Sequence, residues 1–181
     1  ESGFVWSVLG AVAATTDLKM TTAVTCPTDR IHPAVLAQAS ATIASLAPGR
    51  FSFGVGSGER LNEHILGGLW PPAPVRLQRL EEAIDLIRRL WPGETVTHRG
   101  EHYTVDAARI FSLPEKVPDI LVSGFGPVAT DLAARVGDGY INVQPAKELI
   151  ERYRAAGGRG IAQGGMKLCW APSEEDAAKT A

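Results

Sequence analysis

The chain has 181 residues and a formal net charge of −2 at pH 7. Hydrophobic residues make up 45% of it and charged residues 21%, which are ordinary values for a globular domain with its own core. The slightly acidic balance argues against a nucleic-acid partner, because such proteins usually carry a basic patch. The sequence contains no run of 18 or more apolar residues, so we expect no membrane span.

Cysteine and histidine usage points to a cytoplasmic protein without a metal site. Cys26 and Cys169 belong to no paired motif, which suits a reducing compartment. Residues 4–14 are apolar but short, and no basic region precedes them, which argues against a signal peptide. The four histidines show no metal-ligand spacing. His98 and His102 flank a predicted turn, where we expect both side chains to be solvated.

The amino-terminal part of the chain is predicted to run helix, strand, helix, strand. Apolar residues recur at helical spacing over residues 4–14, which predicts a helix with its start near Ser2 or Glu1. Residues 19–25 are rich in Thr and Val and predict a strand. Residues 33–46 predict a helix, since they open on a proline that suits a first helical turn. Residues 51–55 predict the second strand.

A loop, a long helix and a hairpin follow. The Gly- and Pro-containing segment at residues 57–74 is expected to be a loop. Residues 75–90 place Leu and Ile on one face, which predicts an amphipathic helix. Residues 99–100 are Arg-Gly and separate two short extended segments, at residues 95–98 and 101–104. We expect these segments to form a β-hairpin outside the main sheet.

The carboxy-terminal part returns to strands that alternate with helices. Extended patterns predict strands at residues 120–123, 140–143 and 166–170. Helical patterns predict helices at residues 127–136 and 146–156. A last helix is expected after Ser173, whose hydroxyl suits the N-cap position, with Asp176 as the third helical residue.

This alternation predicts an α/β fold with a parallel sheet. A closed (β/α)8 barrel of the TIM type needs eight strands and about 250 residues, and only five strands of that kind are predicted here. The chain also starts before a helix that no strand precedes, and it ends inside a helix. We therefore expect residues 1–181 to form a single domain that is an incomplete TIM-type barrel. A complete five-stranded α/β fold is the alternative.

The segment at residues 50–64, RFSFGVGSGERLNEH, carries the most chemical information. Its glycines follow the second predicted strand, where the missing side chain lets a ligand approach closely. Ligands of parallel α/β proteins bind at the carboxyl ends of strands, so we expect this turn to line a site. A dinucleotide fingerprint is a weaker interpretation, because no helix opens directly after the glycines. A plain tight turn is the other alternative.

Several segments resemble the coenzyme F420-dependent oxidoreductases of the luciferase-like flavin superfamily. The string VGSGERLNEH at residues 55–64 is similar to the corresponding motif of F420-dependent glucose-6-phosphate dehydrogenases and their relatives. Residues 21–51, 123–127 and 135–139 are similar to further segments of the same family. The resemblance covers essentially the whole chain and implies the same barrel fold.

The resemblance implies cofactor-binding roles for two groups of residues. Ala23-Val24 matches a bulge that carries a non-proline cis peptide beside the deazaflavin ring. The contacts implied around the ring and its side arm are Ala23, Val24, Cys26, Gly56, Ser57, Gly58 and Asn62. The loop implied to hold the cofactor's phosphate is Ser123, Gly124, Phe125 and Gly126, and it leads into a helix start, where backbone N–H groups favour anions. For Cys26, a role as a small buried residue is equally open.

Glu59 matches an active-site carboxylate near the position of hydride transfer. We expect it to lie in a closed, apolar site, where a raised pKa would let it carry a proton near neutrality. A surface carboxylate in a loop is the alternative. The histidine that the family uses as acid or base would lie before Glu1. The family's Thr and Lys for a sugar phosphate have no clear match in residues 142–147, so the resemblance does not extend to glucose 6-phosphate.

The function implied is hydride transfer between a small organic substrate and coenzyme F420. One alternative is a luciferase-like monooxygenase that uses FMN. The other is a non-catalytic cofactor-binding or assembly protein. The apolar helices predicted at residues 2–15 and 33–47 resemble the family's dimer interface, so we expect another subunit, or further chain of the same protein, to cover them. We expect a homodimer, with no membrane or nucleic-acid partner.

Overall fold

The computed structural model describes residues 3–166 and 168–180 of the chain. The strands are β1 (Met20–Thr21), β2 (Phe51–Val55), β3 (Val96–Arg99), β4 (Thr104–Ala108), β5 (Ile120–Ser123), β6 (Gly139–Asn142) and β7 (Ala162–Gly164). The helices are α1 (Val5–Thr15), α2 (Pro33–Leu46), α3 (Arg60–Glu63), α4 (Ala73–Leu90), α5 (Pro127–Val136), α6 (Lys147–Ala155) and α7 (Glu174–Thr180). A short 3-10 helix, His64–Leu66, follows α3.

Five parallel strands form one curled half-barrel sheet in the order β1-β2-β5-β6-β7. Each neighbouring pair is parallel, and helices lie between successive strands. The predicted incomplete barrel with five parallel strands is therefore confirmed. Strands β3 and β4 pair antiparallel in a separate two-stranded sheet, which confirms the hairpin outside the barrel.

The predicted position of the last parallel strand is wrong. The strand lies at Ala162–Gly164, whereas Met166 and residues 168–170 belong to no strand and Lys167 lies outside the described residues. Gly160 explains the position of β7, because a Cβ there would come within 1.9 Å of the Asp138 carbonyl oxygen. That close approach sets the chain beside β6, and the apolar residues after it stay exposed.

Other boundaries differ by a few residues. The predicted loop at residues 57–74 contains α3 and the 3-10 helix, and α4 begins at its end. Strand β4 starts later than predicted because residues 100–103 form the turn, closed by the Gly100 N–H donating to the Tyr103 carbonyl at 2.9 Å. The N-cap is confirmed, since Ser173 Oγ accepts from the Asp176 N–H at 3.2 Å. The predicted helix start near Ser2 lies outside the described residues.

The core lies between the parallel sheet and the helices that cover it. Trp6, Phe51, Phe53 and Trp91 make edge-on and tilted contacts, with ring centroids 5.9–6.4 Å apart. The Trp91 indole N–H also donates to the Ala37 carbonyl at 3.2 Å, which joins the end of α4 to α2.

Within the part of the chain that the structure describes, no helix combines the length and apolar character that crossing a membrane requires.

Strand β1 is short because the chain bulges directly after it. Thr21 pairs with Ser52, and the next pairing joins Thr25 to Val55. Four residue steps on the first segment thus oppose three on β2, so the first segment holds one extra residue. The peptide bond between Ala23 and Val24, inside this bulge, is cis. The cis bond implied by the family resemblance is therefore confirmed.

Gly54 permits the bulge to lie against β2. A Cβ at this position would stand 1.8 Å from the Thr22 carbonyl oxygen. The Gly54 carbonyl accepts hydrogen bonds from the Thr22 hydroxyl and from the Thr25 N–H, both at 2.8 Å. The contact therefore requires glycine for a steric reason, and it fixes where residues 22–25 run.

A half-buried carboxylate on α4 holds the hairpin against this helix. Glu82 accepts hydrogen bonds from the His102 and Tyr103 N–H groups, both at 3.0 Å, and its Oε1 lies 2.9 Å from His98 Nε2. Partial burial acts to raise the pKa of Glu82, but these hydrogen bonds hold it below its ordinary value. The expectation that His98 is solvated is wrong, because Glu82 binds its ring.

The same hairpin reaches the loop that follows the bulge. The Tyr103 hydroxyl donates to the carbonyls of Pro27 at 2.9 Å and Thr28 at 3.2 Å. The ring of Tyr103 meets His32 edge-on, with centroids 5.6 Å apart. Burial raises the pKa of Tyr103, so the hydroxyl stays protonated and remains a donor. The hairpin thereby fixes the backbone just after Cys26.

Replacing Gly54 by Ala should destabilise the fold severely. The added Cβ overlaps a backbone carbonyl, so the backbone has to shift. Overpacking of this kind costs about 1–3 kcal/mol and occasionally more. Gly10, inside α1, is the matched control because a Cβ there meets nothing within 4 Å. Gly10→Ala should raise stability by about 0.5–1 kcal/mol. Urea unfolding of both variants measures the difference, and equal midpoints would contradict the steric explanation.

Candidate functional site

A cavity of about 500 Å³ opens at the carboxyl ends of β1, β2 and β5. This volume lies in the range of small-molecule sites, and the position is the one where parallel α/β folds bind ligands. The cavity is lined by Ala23, Val24, Cys26, Gly56, Ser57, Gly58, Glu59, Asn62, Ala73, Arg76, Leu77, Ser123, Phe125, Gly126, Pro127, Val128, Ala129, Ile141 and Val143. Small and apolar residues dominate this lining.

The structure brings together all but one of the residues that sequence analysis selects for the site. The exception is Gly124, which does not line the cavity. It packs against the start of α5, where a Cβ would lie 2.9 Å from the Thr130 nitrogen. Its carbonyl accepts hydrogen bonds from the Tyr140 hydroxyl and from Asn142 Nδ2. Gly124 therefore packs on the side of the loop that faces away from the cavity.

The glycine-rich turn after β2 forms one wall of the cavity. The Gly56 N–H donates to the Thr25 carbonyl at 2.9 Å, and a Cβ on Gly56 would come within 2.7 Å of Val24 Cγ2. Gly58 has a φ of +84°, a conformation that favours glycine. The turn and the bulge are thus packed together, and both face the same space.

Glu59 and Asn62 lie at the rim of the cavity. Asn62 Nδ2 is 3.5 Å from Glu59 Oε2, and both residues are exposed. The closed, apolar surroundings expected for Glu59 are therefore not found among the described residues. The buried carboxylate of this loop is Glu63, which sequence analysis did not select.

Behind the turn, Glu63 joins Cys26 to Arg30. Only 6% of Glu63 is exposed, and its Oε2 lies 3.2 Å from Arg30 Nε. Burial raises the pKa of Glu63, although the charge of Arg30 opposes the shift. Burial also raises the pKa of the Cys26 thiol to about 12, and the charge of Glu63 adds to this effect. Cys26 is therefore a neutral thiol on the cavity wall.

The phosphate loop predicted from the resemblance lies at the start of α5. Ser123 is buried at the end of β5, Phe125 is exposed, and Gly126 is the N-cap of the helix. A Cβ on Gly126 would meet nothing within 4 Å, so the loop leaves open space beside the first helical turn. Backbone N–H groups in such a turn favour a negatively charged group.

Several lining residues carry no signal of a site in the sequence. Ile141 and Val143, from the end of β6, add an apolar wall, and Ala73, Arg76 and Leu77 come from the first turns of α4. The apolar residues of β6 indicated that this strand is buried, but not that its end lines a site. Arg76 follows the Trp-Pro-Pro segment, but a lone arginine on an amphipathic helix carries no signal of a site.

Across residues 3–166 and 168–180, no three His, Cys, Asp or Glu side chains are grouped to hold a metal ion.

A protein-family comparison matches residues 3–181 to the family described as luciferase-like monooxygenase. F420-dependent glucose-6-phosphate dehydrogenase of Microbacterium testaceum is 49% identical over 134 residues, which cover 74% of this chain and 40% of that protein. F420-dependent hydroxymycolic acid dehydrogenase of Mycobacterium tuberculosis is 43% identical over 142 residues, covering 78% of this chain and 39% of that protein.

The fold is also similar to that of a solved structure. An F420-dependent secondary alcohol dehydrogenase, in complex with an F420–acetone adduct, superposes with a TM-score of 0.82 at 32% identity. The superposition covers 88% of this chain and 52% of that one. The chain thus spans about 40% of the length of the curated relatives it matches and about half of this structure.

Cys26 should resist alkylation, whereas the exposed Cys169 should react readily. With a pKa of about 12, only about one Cys26 thiol in 10⁴ is a thiolate at pH 8, and the thiolate is the reactive form. Iodoacetamide labelling followed by peptide mass spectrometry measures both rates in one sample. Glu63→Gln removes a charge that raises the Cys26 pKa, so it should speed labelling of Cys26. Equal rates at the two cysteines in the wild-type protein would contradict the assignment.

Proposed function

Since the chain belongs to the luciferase-like monooxygenase family, we propose that it forms the cofactor-binding part of an F420-dependent oxidoreductase. The reaction proposed is hydride transfer between a small organic substrate and coenzyme F420. The relatives described above are named as F420-dependent dehydrogenases. This favours F420 over the alternatives of an FMN monooxygenase and a non-catalytic protein.

One observation carries the proposal. The residues that the family resemblance implies for cofactor binding come from three separate segments, and all except Gly124 face a single cavity. The bulge at Ala23-Val24, the turn at residues 56–58 and the loop at residues 123–126 are far apart in sequence. Their convergence at the carboxyl ends of the strands is what a cofactor site in this fold requires.

The residues present fit such a cofactor. Ala23, Val24, Ile141 and Val143 offer apolar walls to a flat ring system. The open space beside Gly126 leaves room for a phosphate at the first turn of α5. When bound, the deazaflavin supplies the hydride chemistry, and the protein supplies binding and orientation.

We assign distinct tasks to three polar residues of the rim and turn. The Ser57 hydroxyl and the Asn62 side-chain amide bind the cofactor. The Glu59 carboxylate takes up or delivers a proton at its Oε atoms, since it stands at the carboxyl end of β2, where barrel active sites lie. Asn62 Nδ2 lies 3.5 Å from Glu59 Oε2, so both side chains face the same part of the rim.

The end of β6 and the segment after it do not favour a sugar phosphate as the substrate. Asn142 is buried, and its amide donates to the Gly124 carbonyl and the Tyr140 hydroxyl while its oxygen accepts from the Gln144 N–H. It therefore has little capacity left for a ligand. Lys147 is exposed and lies 3.7 Å from Glu151 on its own helix. The substrate class proposed is a small, uncharged alcohol or carbonyl compound.

We also propose that the protein is a cytoplasmic homodimer. Helices α1 and α2, together with the N-cap residue of α1, expose large apolar side chains, among them Phe4, Val8, Val35 and Leu46. An apolar patch of this kind usually marks an interface. The free thiols of Cys26 and Cys169 suit a reducing compartment. Light scattering on the intact protein tests the assembly, and a clean monomer over the micromolar range would contradict it.

The visible spectrum of the purified protein with added cofactors tests the cofactor assignment. F420 absorbs in the violet, whereas flavins absorb further into the blue, so the bound species can be told apart. We expect F420 to bind and to be reduced on addition of the substrate. Retention of FMN with no affinity for F420 would favour the monooxygenase instead, and failure to bind either would favour a non-catalytic role.

Glu59→Gln in the intact protein should leave F420 affinity within a few-fold and reduce turnover. A general acid or base contributes about 10²–10⁴-fold, so the loss should fall in that range. Ser57→Ala and Asn62→Ala should instead weaken F420 binding, by about 0.5–1.5 kcal/mol for each lost hydrogen bond. Fluorescence titration with F420 and steady-state kinetics separate the two effects. If Glu59→Gln leaves turnover unchanged while binding holds, the carboxylate has no part in proton transfer.

A further inference from the structure

The side chain of Arg76, on α4, contacts two residues of the glycine-rich turn, Ser57 and Gly58. Its Nη1 lies 3.2 Å from the Gly58 carbonyl oxygen and 3.4 Å from the Ser57 carbonyl oxygen. The same Nη1 lies 3.4 Å from Ser57 Oγ. On its other side, Nε donates to the Pro71 carbonyl at 3.1 Å. One guanidinium therefore joins the turn to the segment that leads into α4.

Trp70 completes this arrangement. The Arg76 Cζ lies 4.4 Å from the centroid of the Trp70 ring, in cation–π geometry. The far edge of the same ring faces Gly58, where a Cβ would come within 3.3 Å of it. The indole is thus held between the guanidinium and the turn. Trp70 itself is not among the residues that line the 500 Å³ cavity.

The geometry also sets the polarity of the Ser57 hydroxyl. A guanidinium has N–H donors and no acceptor, so Ser57 Oγ can only accept from Arg76. The hydroxyl proton is then left to point elsewhere, and Ser57 faces the cavity. Ser57 therefore offers a donor to a ligand that carries an acceptor, such as a carbonyl oxygen or a ring nitrogen.

We propose that Arg76 and Trp70 form a clamp that holds the turn at residues 56–58 in its binding shape and makes Ser57 a hydrogen-bond donor to the cofactor. This inference rests on the function proposed above. Trp70 is a positioning residue, since it does not line the cavity and acts on the ligand only through the turn. Arg76 holds the same turn and also lines the cavity. Lysine cannot replace the arginine, because its single ammonium cannot span Ser57, Gly58 and Pro71 while stacking on the indole.

The decisive variant is Trp70→Leu, because it removes a side chain that does not line the cavity. We expect it to weaken F420 binding about tenfold, the scale of losing one charge-assisted interaction. Arg76→Met should give a loss of similar size. The double variant should lose no more than about twofold beyond either single change, because both remove the same clamp. Trp70→Phe keeps an aromatic face and should restore most of the affinity.

The control is Arg89→Met on the same helix. Arg89 contacts Asp85 and His98, and both of these residues lie outside the turn. F420 affinity should stay within twofold of the wild type in this variant. Affinity is measured by fluorescence titration of the intact protein with F420. Unchanged affinity in Trp70→Leu, or losses that multiply in the double variant, would overturn the clamp.

Amide hydrogen exchange in the absence of cofactor provides a second measurement. Trp70→Leu and Arg76→Met should speed exchange in peptides that cover residues 56–72 and leave those covering β5 and β6 unchanged. Exchange that rises across the whole protein would mean that the residues only support the fold, and this too would overturn the clamp. A wild-type protein that fails to bind F420 would overturn the proposed function, and hydrogen exchange would then decide the clamp by itself.

Discussion

The cavity depends on one close approach between two backbone segments. The Thr22 carbonyl occupies the space where any residue other than glycine at position 54 would place its Cβ. Because the two segments touch there, Thr25 can pair again with β2 after the extra residue of the bulge. The bulge then stands directly over the turn at Gly56. Without this contact, the wall formed by Ala23 and Val24 would have no fixed position relative to the turn.

The remaining walls are held by supports that lie outside the cavity. The loop after the bulge is tied by the Tyr103 hydroxyl to the hairpin, and the hairpin is tied by Glu82 to α4. The turn after β2 is tied to the same helix by Arg76. Helix α4 is therefore the common anchor of both sides of the site. Its buried leucines and isoleucines belong to the hydrophobic core, which holds the helix in place.

The sequence allowed the architecture to be predicted because its signals are local. Alternating patterns located four of the five parallel strands, and the motif at residues 55–64 located the turn. The fifth strand was misplaced because Leu168 and Trp170 look like a buried strand, yet both are exposed. Its true position depends on the contact of Gly160 with Asp138, which no local pattern reveals.

The site was predictable in its backbone and less so in its charged groups. Glycines and small residues can be recognised from the sequence, and those predicted for the site line the cavity except Gly124. Glu59 and Glu63 cannot be ranked by burial from sequence, since the direction of each side chain depends on how α3 turns against the loop at residues 26–30. Arg76 and Gly124 act through contacts with distant segments, so their roles appear only once the chain is folded.

The hairpin also bears on how this fold can change in evolution. Its strands add nothing to the parallel sheet, and in that sense it is an insertion. Yet Tyr103 in this insertion supplies a hydrogen bond to a backbone carbonyl 76 residues earlier in the chain, at Pro27. The turn that carries Tyr103 is confined as well, since a Cβ on Gly100 would stand 1.8 Å from Glu82 Oε1. Neither the length of this turn nor its glycine can change without moving Tyr103, so a peripheral addition has become part of the scaffold that later lineages inherit.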